Sequence, residues 1–181
     1  LEKHVVDYPS LITSGKLQRY LIANEGVVGF DEAIEKLIEY LESDQNLYPQ
    51  AETELVELLC ALQHDKLSLT SQVKIQDIAY RMVTGKGERK LEAQSEYSRG
   101  MSAYLLYKAD KTKNDEIADM YLSNTSYTEY FKKCLAIIAL TIPNHAKVQK
   151  VQSKLRSDTA PEMKRLLNLV EGMDKHVNSS S

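Results

Sequence analysis

The sequence predicts an all-α protein, a compact bundle of eight or nine mostly antiparallel helices. Apolar residues recur at three- and four-residue spacing in several segments, which is typical of helices with one buried face. Linkers of roughly three to eight residues separate these segments and favour antiparallel neighbours. No segment shows the alternation of a strand, and no glycine-rich hairpin turn is present.

The first three predicted helices each carry one apolar face. Ser14 is the expected cap of the first, and Asn24 to Gly29 ends it. Asp31 caps the second, whose outer side is rich in glutamate, and Pro49 precedes the third. The predicted buried residues are Leu17, Tyr20, Leu21 and Ile22, then Ala33, Ile34, Leu37, Ile38 and Leu41, then Leu55, Val56, Leu58, Leu59 and Leu62.

Two further helices flank the glycine-containing turn at 84–87. The helix before it begins near Thr70 or Ser71, and Gly85 or Gly87 ends it in the left-handed conformation. The helix after it runs from about Glu88 to Ala109, and a short helix from 115 to 122 follows. The predicted buried residues are Val73, Ile75, Ile78, Ala79, Met82 and Val83 before the turn, and Leu91, Tyr97, Met101, Tyr104, Leu105 and Ala109 after it.

Residues 134–142 form the most apolar segment, in which only Thr141 is polar. The segment is too short for a bilayer, which needs about 20 apolar residues. Ser126 with Glu129 predicts a capping box before it, and Pro143 closes it. We therefore expect a helix buried on all sides at the centre of the bundle, followed by a lysine-rich helix and a last helix opening at 159–162.

The length of 181 residues predicts a single domain over 1–181, ordered from 14 to 177, with a disordered tail at 178–181. The chain begins at Leu1, with no basic and then apolar leader after it, so we expect a fragment of a longer protein or a processed product. Cys60 and Cys134 lie in apolar helical runs, where free thiols are expected. This favours an intracellular, cytoplasmic location. A peripheral position at a membrane is the alternative.

Charge is unevenly distributed along the chain. Residues 1–60 carry four Lys or Arg against twelve Asp or Glu, whereas residues 61–181 carry nineteen against fourteen. Such asymmetry indicates either attraction between the two parts or a basic surface that meets an anionic partner. Because the whole chain has a net charge of -3, nucleic acid is a disfavoured partner.

Cys60 and His64 are four residues apart, so on one helix their side chains would be neighbours. Such a pair can be half of a metal site or a nucleophile with its base. The favoured interpretation is a buried cysteine beside a surface histidine, because neither further ligands nor a catalytic signature accompany them. We therefore predict no catalytic residues, no metal site, no cofactor and no enzyme activity.

The turn that carries Lys86, Arg89 and Lys90 is the one stretch whose pattern suits an anion. Two glycines free its backbone, and the next helix begins with unpaired amide groups. It lacks the spacing of a nucleotide-binding P-loop. Its alternatives are an ordinary helix stop and a site for a phosphoinositide-like headgroup or another phosphorylated ligand.

Lys147, Lys150 and Lys154 share one side of a predicted helix, with Arg156, Lys164 and Arg165 nearby in the sequence. A solvated face is the simple interpretation, and a basic partner-binding face is the functional one. From these observations we predict a non-enzymatic helical interaction domain that binds a protein through its Tyr- and Lys-rich second half. Binding of an anionic headgroup, and so of an anionic membrane surface, is the alternative function.

Overall fold

The structure is a computed structural model that describes residues 19, 23–42, 49–85, 95–123 and 126–179, without the side chains of 49, 50, 170 and 173–179. Its regular structure consists of eight α-helices and two short 3₁₀ turns, and no strand occurs in these ranges. The predicted all-α class is thereby confirmed. The helix expected after Ser14 falls almost entirely outside the described residues.

The chain divides into two compact units, residues 1–111 and 112–181. Unit 1 contains a 3₁₀ turn at His64–Lys66 and unit 2 begins within another at Lys111–Lys113. The helices of unit 1 are α1 (Phe30–Glu42), α2 (Pro49–Ala61), α3 (Leu69–Thr84) and α4 (Glu96–Ala109). The helices of unit 2 are α5 (Asn114–Ser123), α6 (Glu129–Leu140), α7 (His145–Ser157) and α8 (Pro161–Ser179).

Unit 1 is a bundle in which α3 packs against α1 and α4, and α2 packs against α4. The residues predicted to be buried on α1, on α2 and at Leu62 are all buried. Ser68 caps α3 by accepting a hydrogen bond from the Ser71 amide, and Ser95 caps α4 through the Ser98 amide. One-sided apolar spacing was therefore sufficient to identify the core faces of the first two described helices.

Two polar contacts fix α1 against α3 at opposite ends. Near the start of α1, Asp31 Oδ1 accepts a hydrogen bond from the Ser68 amide at 2.9 Å. Near its end, the buried Arg81 guanidinium lies 2.6 Å from a Glu42 carboxylate oxygen and 2.8 Å from one of Asp77. Burying an arginine is costly without anionic partners, so these two carboxylates stabilise the buried Arg81 guanidinium.

In unit 2, α6 packs against α5, α7 and α8, so the helix that was expected at the centre of the whole bundle is central to this unit. Phe131, Cys134, Leu135, Ala136, Ile138, Ala139 and Ile142 are buried. Ile137 and Leu140 are only partly buried, so the helix has a minor side toward solvent. The small side chains of Ala136 and Ala139 permit close approach of the neighbouring helices.

Several local predictions were wrong. The cap of α6 is Thr128 instead of Ser126, since Thr128 Oγ1 accepts a hydrogen bond from the Phe131 amide. Val73 and Tyr97, predicted to point inward, are exposed. Tyr97 instead donates a hydrogen bond from its hydroxyl to Glu57 Oε1 at 2.6 Å. At the carboxyl end, α8 runs to Ser179, past the expected start of the tail at 178.

Candidate functional site

Cys60 and His64 each form a hydrogen bond with a backbone carbonyl. The Cys60 thiol donates a hydrogen bond to the Met101 carbonyl at 3.4 Å, and His64 Nε2 lies 2.8 Å from the Leu59 carbonyl. Because a carbonyl only accepts, Nε2 carries the ring proton. Burial raises the pKa of Cys60 to about 12 against an opposing effect of Lys108, so the thiol stays protonated at neutral pH.

These groups instead satisfy the carboxyl end of α2. The last carbonyls of a helix lack partners within that helix. His64 bonds to the Leu59 carbonyl, and the Lys108 ammonium donates a hydrogen bond to the Cys60 carbonyl. A lysine at this position also meets the partial negative charge of a helix carboxyl end. The pair singled out by spacing is therefore part of a helix-end arrangement.

An open pocket of about 490 Å³ lies beside this end of α2, within unit 1. It is formed between the segment that follows α2 and the last turn of α4. Its lining combines apolar surface with two lysines and one aspartate. No pattern in the sequence indicated this pocket, because its two sides are more than forty residues apart in the chain.

The ring of His64 also lines the pocket, but its Nδ1 atom is buried and has no hydrogen-bond partner. Burial lowers the pKa of His64, and the charge of Lys108 acts in the same direction. The hydrogen bond to Leu59 and the charge of Asp65 oppose this effect. The imidazole is consequently held in its neutral form, with its proton directed at the backbone.

The lysines of the predicted partner-binding face have different environments. Lys147 lies 3.1 Å from an Asp119 carboxylate oxygen and 3.9 Å from one of Asp115, which joins α7 to α5. Lys154 donates hydrogen bonds to the carbonyls of Tyr121 and Leu122, at 3.0 Å for the latter, and lies over the Tyr121 ring. Of the three, Lys150 alone is exposed, whereas Lys147 and Lys154 are partly buried.

Two of these lysines therefore contact α5, Lys147 through a surface ion pair and Lys154 through backbone carbonyls. Lys154 covers the carboxyl end of α5, and burial lowers its pKa. Tyr121, below it, is almost fully buried. A pattern of lysines on one helix face identified a basic surface but could not distinguish solvated ammonium groups from those that bind the backbone of a neighbouring helix.

The basic turn at Lys86, Arg89 and Lys90 lies outside the described residues. Its first residue, Gly85, is described and ends α3 in the left-handed conformation, with a φ of 68°. The Gly85 amide donates a hydrogen bond to the Arg81 carbonyl at 2.8 Å. The prediction that this glycine stops the helix is thus confirmed, whereas ligand binding by the three cations stays a prediction.

Exposed apolar side chains gather at one end of unit 1. Val27 and Val28, before α1, are 50% and 95% exposed, and Leu69 and Val73, on α3, are 79% and 61% exposed. We call these four residues the apolar patch. The patch was not predicted from the sequence, because Val73 was assigned to the core by residue type. At 100° per residue, Val73 lies about 160° around the helix from Ile75, which could have revealed its exposure.

The described part of the chain contains no group of three or more potential metal-ligating side chains. Within the same ranges, no helix has the length and apolar character that crossing a bilayer requires. The chain matches none of the protein-family models, curated proteins or solved structures with which it was compared. Function is therefore inferred from surface chemistry alone.

Proposed function

We propose that this chain is a non-enzymatic helical interaction domain that binds a protein partner through the apolar patch of unit 1. The single observation that supports this proposal is the gathering of four exposed aliphatic side chains. Scattered exposed apolar residues are ordinary on protein surfaces, whereas contiguous ones characterise interaction sites. Helical domains commonly use such surfaces to bind an amphipathic segment.

One contact makes the patch contiguous. The hydrogen bond between the Ser68 amide and Asp31 Oδ1 joins the start of α3 to the start of α1. Leu69 follows Ser68 directly, and Val28 precedes Asp31 by three residues. Since consecutive Cα atoms are about 3.8 Å apart, the valines and Leu69 are held within a few residue lengths of each other. Val73 lies one helical turn beyond Leu69.

The chemistry of the partner follows from the charges on α1. Five of its thirteen residues are acidic, at positions 31, 32, 35, 39 and 42, and one is basic. Three of these carboxylates have cationic partners, Glu35 with Lys74, Glu39 with Lys36 and Glu42 with Arg81, whereas Asp31 and Glu32 lie in the first turn, beside the patch. An amphipathic segment with aliphatic or aromatic anchors and flanking Lys or Arg would match both features.

The same four side chains explain how binding could be favourable. Burying one valine or leucine side chain gains about 1.5–3 kcal/mol relative to leaving it in water. Part of that gain offsets the cost of association, so a few well-buried side chains dominate the affinity of an interface. Leu69 is the most exposed leucine among the described residues, so we expect it to be the principal anchor.

Selection from a phage-displayed library of random peptides tests this proposal. The wild-type chain should enrich peptides with apolar residues at three- and four-residue spacing together with Lys or Arg. The variant L69Q/V73Q should weaken binding of a selected peptide by about tenfold or more, because two anchors are lost. Both positions are exposed, so the variant should remain folded, which the circular dichroism spectrum checks.

The second half of the chain offers the other candidate surface. Lys150, Lys164, Arg165 and Leu169 are exposed there, and the segment 145–169 has six Lys or Arg against two Asp or Glu. This observation supports binding of an acidic partner in unit 2. L169Q makes the same chemical change as L69Q at another exposed leucine. If L169Q or K150E/K164E/R165E weakens peptide binding while L69Q/V73Q does not, the patch proposal is wrong.

Self-association through the patch is a separate outcome that would contradict the proposed role. Sedimentation velocity of the wild type over a range of concentrations would then show a dimer that L69Q/V73Q abolishes. We expect a monomer for the wild type and for L69Q/V73Q.

We also assign the protein to the interior of the cell, because Cys60 and Cys134 are free thiols.

Anionic headgroup binding at Lys86, Arg89 and Lys90 remains the alternative function, with a peripheral membrane location. Support for it comes from the sequence of the turn and from the left-handed Gly85 that begins it. Sedimentation with vesicles that contain anionic lipid is the test. K86E/R89E/K90E should reduce sedimentation sharply, and equal sedimentation of wild type and variant would rule this function out.

A further inference from the structure

The pocket beside the end of α2 has two lysines on one side. Lys108 belongs to the last turn of α4, and Lys111 follows it by three residues. The chain leaves the helix at Asp110, whose backbone is extended, so helical spacing does not relate the two side chains. Both residues nevertheless line the same pocket. They thus border the space that a single ligand would occupy.

Each lysine is held in place by a contact inside unit 1. The Lys108 ammonium donates a hydrogen bond to the Cys60 carbonyl, and the Lys111 ammonium lies 5.9 Å from the centre of the Tyr107 ring. Neither contact neutralises a charge. Among the described residues, no carboxylate forms an ion pair with either lysine. Two like charges therefore border one pocket, an arrangement that an anion would stabilise.

The rest of the lining is apolar enough to bind an organic molecule. Ala61, Leu62 and the ring of Tyr107 contribute to it. Its volume of about 490 Å³ lies in the range of small-molecule sites, which is roughly 300–1,000 Å³. A simple inorganic ion would leave most of this space and its apolar surface unused.

We propose that this pocket binds a small organic acid. Its anionic group lies at Lys108 and Lys111, and its apolar body packs against Ala61 and Tyr107. Asp65 is part of the same lining and carries the opposite charge. It disfavours a second anionic group on the ligand, so the site is selective for monoanions. This site is separate from the apolar patch and does not depend on the function proposed for it.

Titration of the ¹⁵N-labelled chain with benzoate, followed by amide chemical shifts, tests the proposal. Benzoate should produce saturable shifts at residues 61–65 and 107–111. Acetate has the charge without the apolar body, and benzyl alcohol has the body without the charge. Both should bind roughly tenfold more weakly or worse. Phthalate, a dianion of similar shape, should also bind more weakly than benzoate because of Asp65.

K111Q should weaken the binding of benzoate roughly tenfold, since hydrogen bonds to charged groups are stronger than those between neutral groups. K66Q is the matched control: Lys66 is exposed in the neighbouring 3₁₀ turn and does not line the pocket, so this change should leave the affinity unaltered. D65N should raise the affinity for phthalate to at least that for benzoate. Unchanged amide shifts elsewhere verify that each variant is folded.

Three results would overturn the proposal. If benzoate gives no saturable shift at these residues, the pocket does not bind organic acids. Equal affinity for acetate and benzoate shows attraction of anions to a basic surface only. Equal effects of K111Q and K66Q show that neither lysine binds the ligand directly.

Discussion

His64 shows at the scale of one residue how a fold selects a protonation state. Its Nε2 proton is directed at the Leu59 carbonyl, and its buried Nδ1 has no partner. Protonation would place a second N–H in a site without an acceptor and near the charge of Lys108. Burial and this charge both favour the neutral ring, which is the physical reason for the lowered pKa.

A pH dependence of stability follows from this lowered pKa. Above the ordinary value of 6.5 the ring is neutral in both states, so its contribution is fully present. As the pH falls below 6.5, the unfolded chain takes up a proton first, and the free energy of unfolding decreases until the folded pKa is reached. Urea denaturation of wild type and H64Q between pH 8 and pH 5 should show a smaller decrease for H64Q. Identical decreases would contradict this.

The three lysines of α7 provide a second prediction at this scale. Lys154 binds the Tyr121 and Leu122 carbonyls, so K154M should leave them unpaired and lower the stability of unit 2 by about 1–3 kcal/mol. Lys150 is exposed, so K150M should change the stability of unit 2 by less than about 0.5 kcal/mol. Hydrogen exchange of the α5 and α6 amides measures both. Equal losses would show that the Lys154 contacts do not stabilise this unit.

At the scale of elements, two glycines on helices should respond to alanine with opposite signs. Gly85 ends α3 with a φ of 68°, which disfavours a side chain, so G85A should destabilise by about 1 kcal/mol. Gly172 lies inside α8, and a Cβ atom there would meet nothing within 4 Å. G172A should therefore stabilise by about 0.5–1 kcal/mol. Thermal denaturation distinguishes the two, and equal signs would contradict the assigned conformations.

Helix patterns show what could be predicted from the sequence and what could not. On α1 the spacing of Ala33, Ile34 and Leu37 specified the buried face, because charged residues occupied every other direction. Val73 and Tyr97 were misassigned because apolar or aromatic character was given priority over angular position. The bonds of Lys154 to α5, and the pocket shared by α2 and α4, depend on contacts between distant segments, which local spacing does not encode.

At the scale of the whole chain, the sequence predicted one domain, and this prediction can be tested with the two thiols. Cys60 lies in unit 1 and Cys134 in unit 2, and both are free. Residues 1–111 carry thirteen Lys or Arg against eighteen Asp or Glu, and residues 112–181 carry ten against eight, so the two units have net charges of opposite sign, which favours coupled unfolding. Labelling of each thiol at increasing urea concentration should then give one common midpoint. Two distinct midpoints would show independent domains.

The Lys147 contact with Asp119 has a consequence for how sequences of this fold would diverge. A charge used between two helices is constrained by its partner, whereas an exposed charge is constrained only by solubility. In homologues we expect positions 119 and 147 to covary, through reversal of both charges or joint replacement by an apolar pair. Position 150 should vary without regard to either.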